Sequence, residues 1–117
     1  GPGKLRYFVM RLPHRPPSIA AMTRHLQSTQ CLSSAEGLPF WMLLAPPDTK
    51  GPTLNADAAW LLKVMPGEGL KLHIGTWHAG PYFPAKSALF FNLELADTYK
   101  NDHETLPLSK PLKVILS

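Results

Sequence analysis

The chain is poor in charge and in cysteine. Only 17% of its 117 residues are charged, and there is one cysteine, Cys31. A lone cysteine closes no internal disulfide, and without a Cys cluster there is no thiolate set for structural zinc. A reducing, intracellular compartment is the expectation, cytoplasmic by default with an organelle left open. Cys31 itself reads as a small buried apolar residue in a strand rather than as a nucleophile. No apolar run approaches the length that crosses a bilayer, so no membrane partner is expected. No internal repeat or low-complexity segment is present. Nucleic-acid binding would want a basic stripe interleaved with exposed aromatics. Lys4, Arg6, Arg11, Arg15 and Arg24 crowd the first quarter and the net charge is +4, yet these charges stand singly among apolar residues. No nucleic-acid partner is expected, and a pocket for a small carboxylate fits the same residue types better.

Thirteen prolines and a hydrophobic fraction of 44% describe a chain that folds around a core without long helices. Its length suits one domain, residues 4–117. Gly1-Pro2-Gly3 reads as a cleavage scar, and a trimmed start would hide a targeting peptide. Lys4 to Leu12 alternates and reads as a strand, ended by Pro13, Pro16 and Pro17. Ser18 to His25 is read as extended, although Ser18 could cap a short helix. Ser28 to Leu32 starts another strand. Phe40 to Ala45 is a continuous apolar run of strand length, with both faces expected to be buried. Asp48 to Asn55 is loop-like. Trp60, Leu62 and Val64 alternate against Leu61, Lys63 and Met65 in a strand, and Pro66 to Gly69 is a tight turn. Ala88 to Leu95 is a strand with Leu89, Phe91, Leu93 and Leu95 on one face and Phe90, Asn92 and Glu94 on the other. Asp97 to Pro107 reads as a polar loop, and Lys113 to Ser117 as a last short strand. Six or seven short strands between Gly/Pro turns indicate an all-β sandwich or barrel, a form that can hold one small ligand.

The organising stretch is Leu70 to Phe83, LKLHIGTWHAGPYF. Leu70 and Leu72 alternate with Lys71 and His73. Gly75-Thr76 permits a turn, Trp77-His78 restarts a strand, and Ala79-Gly80-Pro81 breaks the pattern. Alternation puts Trp77 and His78 on opposite faces. If the register survives Gly75, His73 and Trp77 share one face; if Gly75 marks a bulge, both histidines can enter one cavity.

His73-Ile74-Gly75-Thr76-Trp77-His78 resembles the second conserved motif of cupins, Pro-x-Gly-x-x-His, with Gly75 and His78 matching. The chain more specifically resembles the ureidoglycolate lyase family, formerly ureidoglycolate hydrolase. That family carries a His-x-x-x-Trp-His run, matched by His73, Trp77 and His78, and an upstream Arg-His followed by Thr-Gln, matched by Arg24, His25, Thr29 and Gln30. GTWHAGP with a downstream FNLEL, residues 75–81 and 91–95, is like the plant-type branch. The likeness runs loosely from Arg6 to about His103. It departs in three places. Thr23 stands where bacterial members have Glu, Ala79 replaces the second His of Trp-His-His, and Glu94-Leu95 replaces a strand Asp-Arg. The chain is also short for the family, as trimming around residues 48–55 would make it.

The resemblance implies a cupin-like double-stranded β-helix, a small all-β barrel with the active site inside. It implies a carbon–nitrogen lyase of ureide and allantoin catabolism, releasing urea and glyoxylate from ureidoglycolate. Such a reaction needs a base for the hydroxyl proton, an acid for the departing nitrogen and donors for the carboxylate, and no obligatory cofactor. His78 and Glu94 are the candidate acid/base pair, with His73 the third catalytic candidate. Arg24, assisted by Gln30, is assigned to the carboxylate, and His25 and Trp77 to the cavity wall. Singly, each has an ordinary structural reading too: Arg24 as a surface residue, His25 in a loop, His73 as a satisfied strand histidine, Trp77 as packing. His25, His73, His78 and Glu94 are also ligand types for a divalent metal, but the His-x-His of the first cupin motif is absent. The alternative function is a catalytically altered homologue that binds a small carboxylate or a protein without turnover. Family members pair as homodimers through sheet edges, and the Phe40–Ala45 run and open strand edges make pairing physically reasonable here.

Overall fold

The computed structural model describes residues 5–26, 29–49, 51–95 and 103–117, and their side chains except at 5, 6, 94 and 95. The fold is all-β. Among the described residues nine strands run in order: β1 (Leu5–Pro13), β2 (Ser18–His25), β3 (Gln30–Ser34), β4 (Phe40–Ala45), β5 (Trp60–Val64), β6 (Gly69–Leu72), β7 (Trp77–Tyr82), β8 (Ser87–Leu95) and β9 (His103–Lys113). One 3-10 turn, Ala56–Ala58, precedes β5, its first turn capped by the Asn55 side chain accepting from Asp57 N. The strands form two antiparallel sheets, β1-β8-β3-β6 and β5-β4-β7-β2-β9, a barrel-like sandwich compatible with a cupin-like fold.

The five-stranded sheet has apolar material on both faces, which is why all six residues of β4 are buried. Phe40, Met42 and Leu44 look toward the four-stranded sheet and cluster with Leu32, Leu72, Phe83 and Phe90. Trp41, Leu43 and Ala45 belong to a second cluster with Ile19, Met22 and Trp77, closed by Leu54, Ala56, Leu108 and Val114. Leu54 reaches the sheet through a parallel bridge to Leu108. Two cores thus lie back to back across one sheet. β4 sits between β5 and β7, so the apolar run is interior and is not a surface on which a second copy could pair.

Two sequence expectations are corrected, and the alternative left open at Gly75 is decided. Ala79-Gly80-Pro81 does not break the strand: it lies inside β7, with a cis Gly80–Pro81 bond. Gly80 has φ +124, and a Cβ there would meet Met42 Sδ at 2.9 Å and Trp41 O at 3.0 Å, so only glycine fits between β7 and β4. The segment read as a polar loop up to Pro107 holds the first five residues of β9, while residues 114–117 are not strand. β9 is an edge strand, where prolines such as Pro107 and Pro111 cost no central ladder bond. Gly75 is not a bulge. It sits at φ +83 in the turn that carries the chain from β6 in one sheet to β7 in the other, and its N–H donates to His25 O at 2.7 Å.

Candidate functional site

A cavity of about 460 Å³ lies between the sheets. Its wall on the four-stranded sheet is mostly apolar: Phe8, Met10 and Leu12 from β1, Leu32 from β3 and Leu72 from β6. Two amides interrupt that wall, Gln30 on β3 and Asn92 on β8. The opposite wall carries the polar rings and charge among small and apolar residues such as Ala21, Met42 and Ala79. Thr23 and His25 alternate inward on β2, His78 and Tyr82 enter from β7, and Arg15 reaches in from the exposed link between β1 and β2. No described Asp or Glu lines the cavity.

The local sequence explains the polar wall. β2 and β7 pair at Thr23 and His78, so alternation sends Thr23, His25 and His78 to one face and Arg24 and Trp77 to the other. The rings of His25 and His78 stack at 5.3 Å between centroids, tilted by 30°. His78 Nδ1 donates to Thr76 O at 3.3 Å, which leaves Nε2 with the lone pair. Burial pushes the His78 pKa down from 6.5 to about 4, against the pull of that hydrogen bond, and the nearby His25 and Arg15 charges lower it further. His78 is therefore a neutral base at physiological pH. Burial likewise raises the Tyr82 hydroxyl above its ordinary value, with the Arg15 charge opposing, so it stays a neutral donor.

The residues singled out from the sequence separate into two groups. His25, Gln30 and His78 meet at the cavity. Arg24, Trp77 and His73 do not. The Arg24 guanidinium lies 4.5 Å from the Trp77 ring centroid, pairs with Glu104 at 2.9 Å and donates to Pro47 O at 3.2 Å, all on the far face of the sheet. Trp77 is fully buried in the second core, its indole N–H donating to Thr49 O at 3.2 Å. His73 is exposed at the corner between the sheets, where its carbonyl accepts from Thr76 N at 3.1 Å. Glu94 falls in β8 opposite Arg6 on β1, and its side chain lies outside the described ones. As for a divalent metal, His25 and His78 stand together, but the described residues bring no group of three His, Cys, Asp or Glu side chains to one place.

Sequence reasoning missed Arg15, Tyr82 and Asn92. Arg15 sits in a proline-flanked link that read as a turn. Asn92 carried a usable signal, a lone amide in the apolar strand ALFFNLEL, two residues before the charged Glu94. No helix of the described residues is long and apolar enough to cross a membrane. No protein-family model matches this chain, and no curated protein matches it.

Proposed function

We propose that the chain binds a small carboxylate-bearing molecule in the cavity between its sheets. One observation carries the reading: a 460 Å³ cavity lined by Arg15, His25 and His78 and by no described carboxylate. Such a lining favours an anion of a few heavy atoms, held by charge-assisted hydrogen bonds at the polar wall while the rest packs on the apolar one. Thermal unfolding with glycolate or glyoxylate, beside their neutral amides, tests it. An acid that binds only the folded chain raises the transition by mass action, about 2.7 kcal/mol of stability at a hundred times its Kd. Acids and amides acting alike sink the reading.

A second reading adds turnover, ureidoglycolate lysis, and the His78 tautomer favours it. Nε2 carries a lone pair in a cavity and stays unprotonated above about pH 4. In this reading Nε2 takes the substrate's hydroxyl proton. The O–H electron pair forms the carbonyl, the C–N bond breaks, and the nitrogen leaves as urea after taking a proton from an acid, for which His25, stacked on His78, is placed. Arg15 takes over the carboxylate role assigned to Arg24 from the sequence. Glyoxylate release from racemic ureidoglycolate, corrected for spontaneous breakdown, decides between turnover and binding alone. Activity lost in His78→Ala supports the lyase; no activity in folded wild type leaves a binding protein. A homodimer belongs to this proposal, with β1, β6, β5 and β9 as the sheet edges available for pairing.

A further inference from the structure

Among the described buried residues Asn92 is the one that is neither apolar nor aromatic, 2% exposed. It stands in β8 between Phe8 on β1 and Leu32 on β3, its register partners, and all three line the cavity. Leucine has nearly the same shape and would bury there without the desolvation cost of an amide. The amide is also oriented. Its Oδ1 accepts from Gln30 Nε2 at 3.1 Å, which leaves Nδ2 as the donating end of an amide that lines the cavity. Buried donors are matched by acceptors as a rule, and a ligand in that cavity can supply one.

We infer that Asn92 is the specificity-determining residue of the cavity: its amide N–H donates to a second oxygen of the bound acid, across from the wall that takes the carboxylate. The inference rests on the acid-binding reading and narrows its ligand class. The ligand is a short acid whose chain carries a carbonyl, hydroxyl or similar acceptor at the end away from the carboxylate. A purely aliphatic acid of the same shape leaves the donor unpaired and binds poorly, because a site built around a hydrogen bond rejects the analogue that lacks it.

Two probes of matched shape isolate that oxygen. Levulinate (4-oxopentanoate) has a keto oxygen where 4-methylpentanoate has a methyl group. Titration calorimetry on the whole chain is expected to show levulinate bound about tenfold tighter or better. In Asn92→Leu the ratio falls to about one or inverts, with 4-methylpentanoate bound as well as before or better. Equal binding of the two acids by wild type overturns the inference and leaves acid binding standing. So does a preference that survives in Asn92→Leu, above all with a lowered melting temperature, the mark of a purely structural amide. Binding of neither acid removes the acid-binding reading and this inference with it. The wild-type comparison needs no variant, so a misfolded Asn92→Leu protein does not shield the inference.

Discussion

The two faces of the five-stranded sheet are made by the same strands and have opposite interiors. On one, Trp77 is buried to 0% exposure with the Arg24 guanidinium over its ring, and the space is filled. On the other, one residue along each strand, His25 and His78 face a cavity of about 460 Å³. An arginine beside an aromatic, next in sequence to a histidine, looks like a binding constellation in one dimension. In three it is divided by the sheet. The half that packs makes its contacts within the protein, and the other half borders open volume.

The largest effect expected is on the filled side. Trp77→Ala removes a fully buried indole and should destabilise the chain by about 3–5 kcal/mol, read from urea unfolding. His78→Ala, on the hollow side, should leave stability at neutral pH nearly unchanged and alter acid binding. If the two substitutions cost the same stability, the division into a structural face and a ligand face is wrong.

The next effect is a pH dependence confined to the hollow side. The His78 ring titrates at about 4 in the folded chain against 6.5 ordinarily. Between those values the unfolded chain holds a proton that the folded chain does not, so stability falls as pH drops from 6.5 to 4 and levels off below. A shift of that size amounts to roughly 2–3 kcal/mol after some solvent screening. Carboxylates titrate in the same range, so the quantity to measure is the difference between wild type and His78→Gln. An identical slope in the two proteins would show that the ring is not desolvated as the cavity implies. Anion binding should reverse the sign locally: a bound carboxylate favours the imidazolium, and proton uptake would appear as a buffer-dependent heat in calorimetry.

A smaller effect separates the two arginines. Arg15→Met should weaken acid binding by about ten- to a hundredfold, the value of one hydrogen bond to a charged group. As Arg15 is an exposed link residue, stability should stay within about 0.5 kcal/mol. Affinity unchanged in Arg15→Met would move the carboxylate to another part of the wall.

Much of the fold was legible because it rests on local pattern. The continuous apolar run of β4 announced burial on two faces, and proline-glycine turns marked most strand ends. β9 was hidden because its residues are polar, exposed and interrupted by Pro107 and Pro111, tolerable only at an edge that no local signal announces. Pro81 misled in the opposite direction, since a proline inside a central strand reads as a stop. The site was half legible. His25 and His78 were found through their motif and Gln30 through its spacing from them, but which face each residue takes depends on the crossing between sheets at Gly75. That crossing leaves His73 outside and separates Trp77 from His78. Arg15 and Asn92 come from parts of the chain far from the motif, and only the packing of β1, β2 and β8 brings them to one cavity.

The smallest effect belongs to the pair that looked most functional. Arg24 and Glu104 are 23% and 39% exposed in their side chains, so Glu104→Gln should cost no more than about 1 kcal/mol. Arg24 Nε is buried with no hydrogen-bond partner among the described residues, which subtracts from what the pair contributes. The informative readout is affinity. Since β2 turns Arg24 away from the cavity, neither Glu104→Gln nor Arg24→Met should alter the binding of any small acid, while both should shift urea unfolding slightly. A fall in affinity in Arg24→Met, with the fold intact, would put the ligand on the far side of the sheet, against Trp77, and restore to Arg24 the carboxylate role proposed for Arg15.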